Sequence, residues 1–308
     1  MTDALRFTVR FLQPYCHGHG DGGEPEWPPS PLRLFQALVA ASAARWNERQ
    51  RLDYAVPALN WLELLNSPEV VAPSGVISEV HTQFYVPETT ADLLVPQFEK
   101  GVVDATPKRT EKVVRPTHLS GEAIHYLYPL AGELTEDEKG WVATLAAAAR
   151  SITHLGWGID MVAADAAVIS SDDADKLSGH RWREVKSGGV SLRVPKAGTL
   201  VDLMRKHAAF LDRLSADGFK PVPPLSCFDV KQYHSPTVSQ LAPVVRPFVA
   251  FQILAPDASK VRSFGPLRGV RDVAAWVRNA TAGVCAGWPF GDVAGFVHGH
   301  DQSDSNKP

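Results

Sequence analysis

Cysteine is scarce in this sequence. Its three residues, Cys16, Cys227 and Cys285, are widely separated and odd in number, which argues against a disulfide framework and fits a reducing compartment. No CxxC and no HxxxH pair is present. Cys16, His17 and His19 are soft ligands at adjacent and i+2 spacing, poor geometry for a tetrahedral zinc site unless distant residues complete it. No run nears the ~20 apolar residues of a membrane span. The first residues, MTDALRFTVRF, lack the basic-then-apolar order of a signal peptide, so a cytoplasmic protein without a membrane partner is expected. There is no GxSxG elbow for a Ser/His/Asp hydrolase, no GK[ST] for a P-loop, and no dinucleotide fingerprint. An excess of basic charge is also missing: the formal net charge is −3. That speaks against a surface that coats nucleic acid indiscriminately and leaves room for a local basic groove. No pair of residues forms a convincing acid and base, and the site is expected to hold no catalytic residue, metal or cofactor.

What is present is an ordinary globular composition, 44% hydrophobic and 21% charged over 308 residues, long enough for two domains. Residues 5–12 alternate strictly. Leu5, Phe7, Val9 and Phe11 face one way and Arg6, Thr8 and Arg10 the other, as in a half-buried strand with two arginines on its open face. A loop follows that carries His17, His19, Gly20, Gly22 and Gly23. Ser30 then stands as an N-cap with Pro31 at the first helical position, ahead of a helix with Leu34, Phe35, Leu38 and Val39 on its core face. A Gly-rich loop opening a helix gathers backbone N–H groups and a positive dipole end, which suits a phosphate.

From residue 70 to 128 the character changes to prolines and β-branched residues without helical period. Within it, residues 99–115 hold five basic and three acidic side chains. Lys108, Arg109, Lys112 and Arg115 fall at or beside a hairpin tip, and a protruding basic hairpin can grip a nucleic-acid backbone. Thr135–Glu138 reads as a capping box before an Ala-rich helix to residue 150, and residues 157–169 read as a strand. The first ~170 residues thus match a β-α-β-β-α-β, ferredoxin-like unit. Beyond it come a hairpin over 180–195 turning at 187–189, a helix capped by Thr199, a strand over 244–254 and a helix over 271–285. These make a degenerate second α+β half. Residues 299–308 are polar and unpatterned.

Several blocks together resemble a known family. Residues 24–34 (EPEWPPSPLRL) with 36–41, then 84–87 (FYVP), 152–156 (ITHLG), and 192–195 (LRVP) with 198–200, stand in order. They resemble the type I-G (formerly I-U) CRISPR Cascade subunit, a fusion of the "Cas five" and "Cas six" members of the RAMP superfamily. The resemblance implies an α+β, RAMP-type ferredoxin-like (RRM-like) domain over 1–170 with a thumb hairpin inserted at about 70–128. Residues 171–298 would form a second α+β portion packed on the first. Residues 299–308 would be a linker toward the family's ribonuclease-like half, whose RNA processing therefore maps onto no residue here. The implied role is non-catalytic. The chain would hold the 5′ handle of the CRISPR RNA beside the Cascade backbone subunits and the large subunit, with target DNA near the protospacer-adjacent motif as a further partner to consider.

On this reading Arg6 and Arg10 meet phosphates on the sheet. The loop from His17 to Gly23 and the helix start at Ser30 cradle the handle, and Lys108, Arg109, Lys112 and Arg115 on the thumb separate handle from guide. Two rivals stand beside it. One is a ribonuclease using His17, His19, His298 or His300 as acid and base. The other is a structural module that binds proteins through its apolar second half.

Overall fold

The alternation at the start of the chain produces an interior strand, β1 (Ala4–Phe11). The computed structural model describes residues 3–45, 52–88, 100–101, 109–215, 218–235 and 275. The chain divides into two units, Met1–Val244 and Val245–Pro308, and every element below lies in the first. Lys108, His298, His300, the strand expected over 244–254, the helix over 271–285 apart from Ala275, and the tail over 299–308 lie outside the described residues.

β1 runs antiparallel between β8 (Ala123–Pro129) and β9 (Val162–Ile169). Outward from β8 follow β3 (Glu69–Ala72), β10 (His180–Val185), β14 (Asp229–His234) and β11 (Val190–Val194). The seven strands form one sheet in the order β11-β14-β10-β3-β8-β1-β9, and β12 (Leu214–Ser215) pairs with β13 (Gly218–Phe219) in a two-stranded one. The architecture is α+β with antiparallel pairing. Leu5, Phe7, Val9 and Phe11 are all buried, as their alternation requires. They share one core with Leu34, Phe35 and Leu38 of α1 (Pro31–Arg45), Leu59 and Leu62 of α2 (Val56–Leu64), and Leu145 and Ala149 of α3 (Glu136–Ala149). The capping box before α3 forms as read: Glu138 N–H donates to Thr135 Oγ1 and Thr135 N–H to Glu138 Oε2.

Trp61 lies in the second half of α2, a helix whose Pro57 sits in its first turn. After β9 the chain forms a short helix, α4 (Ser171–Asp175), capped by Ser170. Ala174 of α4 packs with Ala4, Val71 and Leu127 in a second, small cluster. By register these lie on the side of the sheet opposite the main core, so that face is partly covered. Finally, β10 and β11 do not pair as a hairpin, because β14 inserts between them. Gly189 makes this possible, since a Cβ there would stand 2.3 Å from the carbonyl oxygen of Tyr233. β10, β14 and β11 thereby extend the same sheet that contains β1.

The remaining strands build the rim. β2 (Tyr15–Cys16), β7 (Thr117–Leu119) and β4 (Gly75–Ile77) form a three-stranded sheet. β5 (Thr82–Pro87) and β6 (Arg109–Val114) form a separate hairpin.

Candidate nucleic-acid interface

The Gly-rich loop is closed on itself. Gly20 N–H donates to the Glu24 carbonyl at 2.8 Å, and Glu26 N–H to that of Gly18 at 2.9 Å. Gly22 and Gly23 turn at φ of 78° and 83°, a region open to glycine. The loop faces a second one, residues 153–161, and the two are joined by buried polar side chains. His17 N–H donates to Asp160 Oδ2 at 2.9 Å, and His17 Nδ1 lies 2.6 Å from Asp160 Oδ1. A carboxylate only accepts, so Nδ1 carries the proton, and Nε2 has no partner among the described residues. Arg33 passes between the loops. Its Nη2 donates to the His19 carbonyl at 3.0 Å, and a Cβ at Gly156 would meet its Nη1 at 2.6 Å. Burial alone would lower the Arg33 pKa, but the adjoining Glu26 carboxylate outweighs it and raises the value.

Glu26 also corrects an expectation. Its Oε1 accepts Ser30 N–H at 2.9 Å and Arg33 Nε at 3.1 Å. Ser30 is buried. The helix start that looked open to a phosphate holds the protein's own carboxylate. Cys16, buried beside Asp160, has its thiol pushed up to about 12, chiefly by burial. It is a neutral, inert thiol at physiological pH.

The hairpin closes the site. Phe84 of β5 sets its ring against His17, with centroids 5.6 Å apart and planes 83° apart. It also meets Trp157 at 5.8 Å and 52°. His19 stacks on Trp157 at 5.6 Å and 19°. Lys112 of β6 is the cross-strand partner of Phe84, and directly opposed residues of an antiparallel pair share a face. Lys112 therefore stands on the side of the hairpin that meets the histidine loop. Arg109 opposes Pro87, and Arg115, just past β6, pairs with Glu24 of the loop at 2.6 Å. These cations descend the returning strand instead of clustering at the tip.

Arg6 and Arg10 are not part of this cleft. Tyr126, on the core face of β8, donates from its hydroxyl to the Pro29 carbonyl, which puts the start of α1 on the core side. Arg6, Thr8 and Arg10 point to the other side. There Arg10 pairs with Glu122 at 2.7 Å and Thr8 lies 3.0 Å from His125 Nδ1. Arg6 Nε is buried without a hydrogen-bond partner among the described residues. Burial first, then the charges of Arg6 and Arg10, lower His125 from 6.5 to about 4.

Sequence reasoning placed His17, His19 and the glycines correctly in one loop but missed Glu26, Arg33, Phe84, Trp157 and Asp160. The signal for the last two was Gly156-Trp157-Gly158, since paired glycines interrupt a strand. β9 begins only at Val162.

The family model for the CRISPR-associated protein, GSU0054 family, matches residues 5–307. The chain belongs to that family. No curated protein matches it. Among solved structures it is similar to a CRISPR protein from Archaeoglobus fulgidus, at 14% identity and a TM-score of 0.28. The match covers 61% of this chain and 68% of that one, and at that TM-score it carries no argument. Among the described residues of this CRISPR-associated protein, no helix is long and apolar enough to cross a membrane, and no group of three His, Cys, Asp or Glu is placed to hold a metal.

Proposed function

We propose that this CRISPR-associated protein is the RNA-binding capping subunit of a type I-G Cascade complex, holding the 5′ handle of the CRISPR RNA beside the backbone and large subunits. The observation that carries the reading is the cleft in which a cationic hairpin faces a histidine- and glycine-rich loop across Phe84. Such a cleft supplies cations for phosphates and rings for bases, as single-stranded RNA requires. Strand order supports the finer fold assignment. β1, β3, β8 and β9 stand in the order β3-β8-β1-β9, with α1 and α3 as the crossovers, which is the arrangement of a split βαβ, ferredoxin-like unit. The handle would run through the cleft past His17, His19, Gly20, Gly22 and Gly23 on one side and Lys112 and Arg115 on the other, with Arg109 on the opposite face of the hairpin. Ser30 drops out because Glu26 occupies its amide. Arg6 and Arg10 form a separate, secondary surface.

A second reading is favoured by the Asp160–His17 pair. With Nδ1 fixed by a buried carboxylate, Nε2 is free to take a proton from a ribose 2′-hydroxyl, so a metal-independent ribonuclease is the enzyme to test for. A gel-shift titration of the chain against the cognate handle RNA and a scrambled RNA, at two salt concentrations, separates the two. The same samples are also run on denaturing gels. Tight, handle-preferring binding of intact RNA is the expected result. RNA cut in the presence of a chelator, and left whole by His17→Ala, would replace the capping role with the nuclease. Absence of binding to either RNA would sink both.

A further inference from the structure

Phe84 and Trp157 are large rings that belong to neither apolar cluster of the structure. They pack on each other and on two histidines. Residues whose task is to fill a core join one; these two form an aromatic group at the rim, half-buried, between the hairpin and the two loops. Trp157's neighbours on either side, Gly156 and Gly158, are exposed and lack side chains that could cover its ring. A Cβ on Gly158 would meet no atom within 4 Å. The group is held rigidly: the Arg33 guanidinium grips the His19 carbonyl and closes on Gly156, and Asp160 fixes His17.

The polar atoms around these rings define what they take. His19 Nε2 is buried without a hydrogen-bond partner among the described residues. Lys112 is exposed on the Phe84 face of the hairpin, and neither it nor Arg109 has an ion-pair partner among the described residues. A ligand that lays a flat ring against Trp157, and brings a negative charge to Lys112 at the same time, is a nucleotide.

We propose that Trp157, with Phe84 and His19, is a stacking pocket that takes one unpaired nucleobase of the bound RNA, splayed out of its strand, while Lys112 meets the adjoining phosphate. The proposal rests on the RNA-binding reading and adds to it the residue that fixes the register of the handle. Stacking on an aromatic side chain tolerates any base, so the pocket sets where the RNA sits more than which base it presents.

The test uses the full chain and the cognate handle RNA with 2-aminopurine replacing one base at a time. One position is expected to show its fluorescence quenched on binding well beyond its neighbours. Trp157→Ala should abolish that quenching and weaken binding about ten- to a hundredfold, the size of one lost stack. Trp157→Phe, which keeps a ring, should retain most of both. The wild-type scan does not depend on any variant folding. If the wild type binds the RNA and no position stands out, the pocket is overturned and the RNA-binding reading survives. Equal affinity and equal quenching in Trp157→Ala overturn it in the same way. Failure of the wild type to bind the RNA at all overturns both.

Discussion

Asp160 shows how much of this site depends on single buried polar atoms. Both of its oxygens serve one residue, accepting the amide and the ring N–H of His17, and both partners are buried. Asp160→Ala would strip two donors of their acceptor in a place water does not reach, and an unsatisfied buried group costs about 1–3 kcal/mol. The expected outcome is a lower urea midpoint with an unchanged denaturant slope. A midpoint equal to the wild type would mean that solvent replaces the carboxylate, and that the loops are looser than their hydrogen bonds imply. Glu26 offers a parallel case. It neutralises Arg33 and fills the start of α1, so the carboxylate of the EWPP stretch is an anchor point for the helix.

At the scale of elements, what was legible in the sequence was local. The alternation in β1, the capping box before α3 and the apolar face of α1 are set by neighbours a few residues away, and each appears as read. What was not legible is pairing at a distance. β14 offers little periodic signal, with Tyr233 its one buried residue in six, so its insertion between β10 and β11 could not be seen from the GlyGly turn that separates them. Asp160 likewise becomes meaningful only when His17, 143 residues away, is laid beside it. The hairpin is the element where these scales meet, because its charge is written in the sequence and the face that each cation takes is set only by the pairing of β5 with β6. With Lys112 on the side of the histidine loop and Arg109 on the same strand, the double variant Arg109→Glu/Lys112→Glu should weaken handle binding. It should also make the dependence of affinity on salt shallower, because fewer counterions are released: each phosphate contact adds about 0.9 to the slope for duplex DNA and about 0.7 for single strands. An unchanged slope would take the hairpin out of the RNA path.

For the molecule as a whole, a net charge of −3 means that any grip on RNA must come from where the cations are placed and not from how many there are. The central sheet splits them. Arg6 and Arg10 stand on the face that α4 partly covers, where Arg10 is already paired with Glu122 and Asp173 of α4 is held below its usual range, first by its bond to Lys176 and last by the charge of Arg6. Lys112 and Arg115 stand with the histidine loop at the rim, and Arg109 stands on the other face of the same hairpin. One short single strand lying in the rim cleft does not at the same time cover the far face of the sheet. Arg10→Ala is therefore expected to leave handle affinity within about twofold of the wild type, the size of effect usual for an exposed, already paired charge, while the hairpin variant loses far more. The comparison is a pair of titrations at one salt concentration. A tenfold loss at Arg10 with none at the hairpin would move the RNA to the sheet face, and the cleft with its rings would then need another ligand.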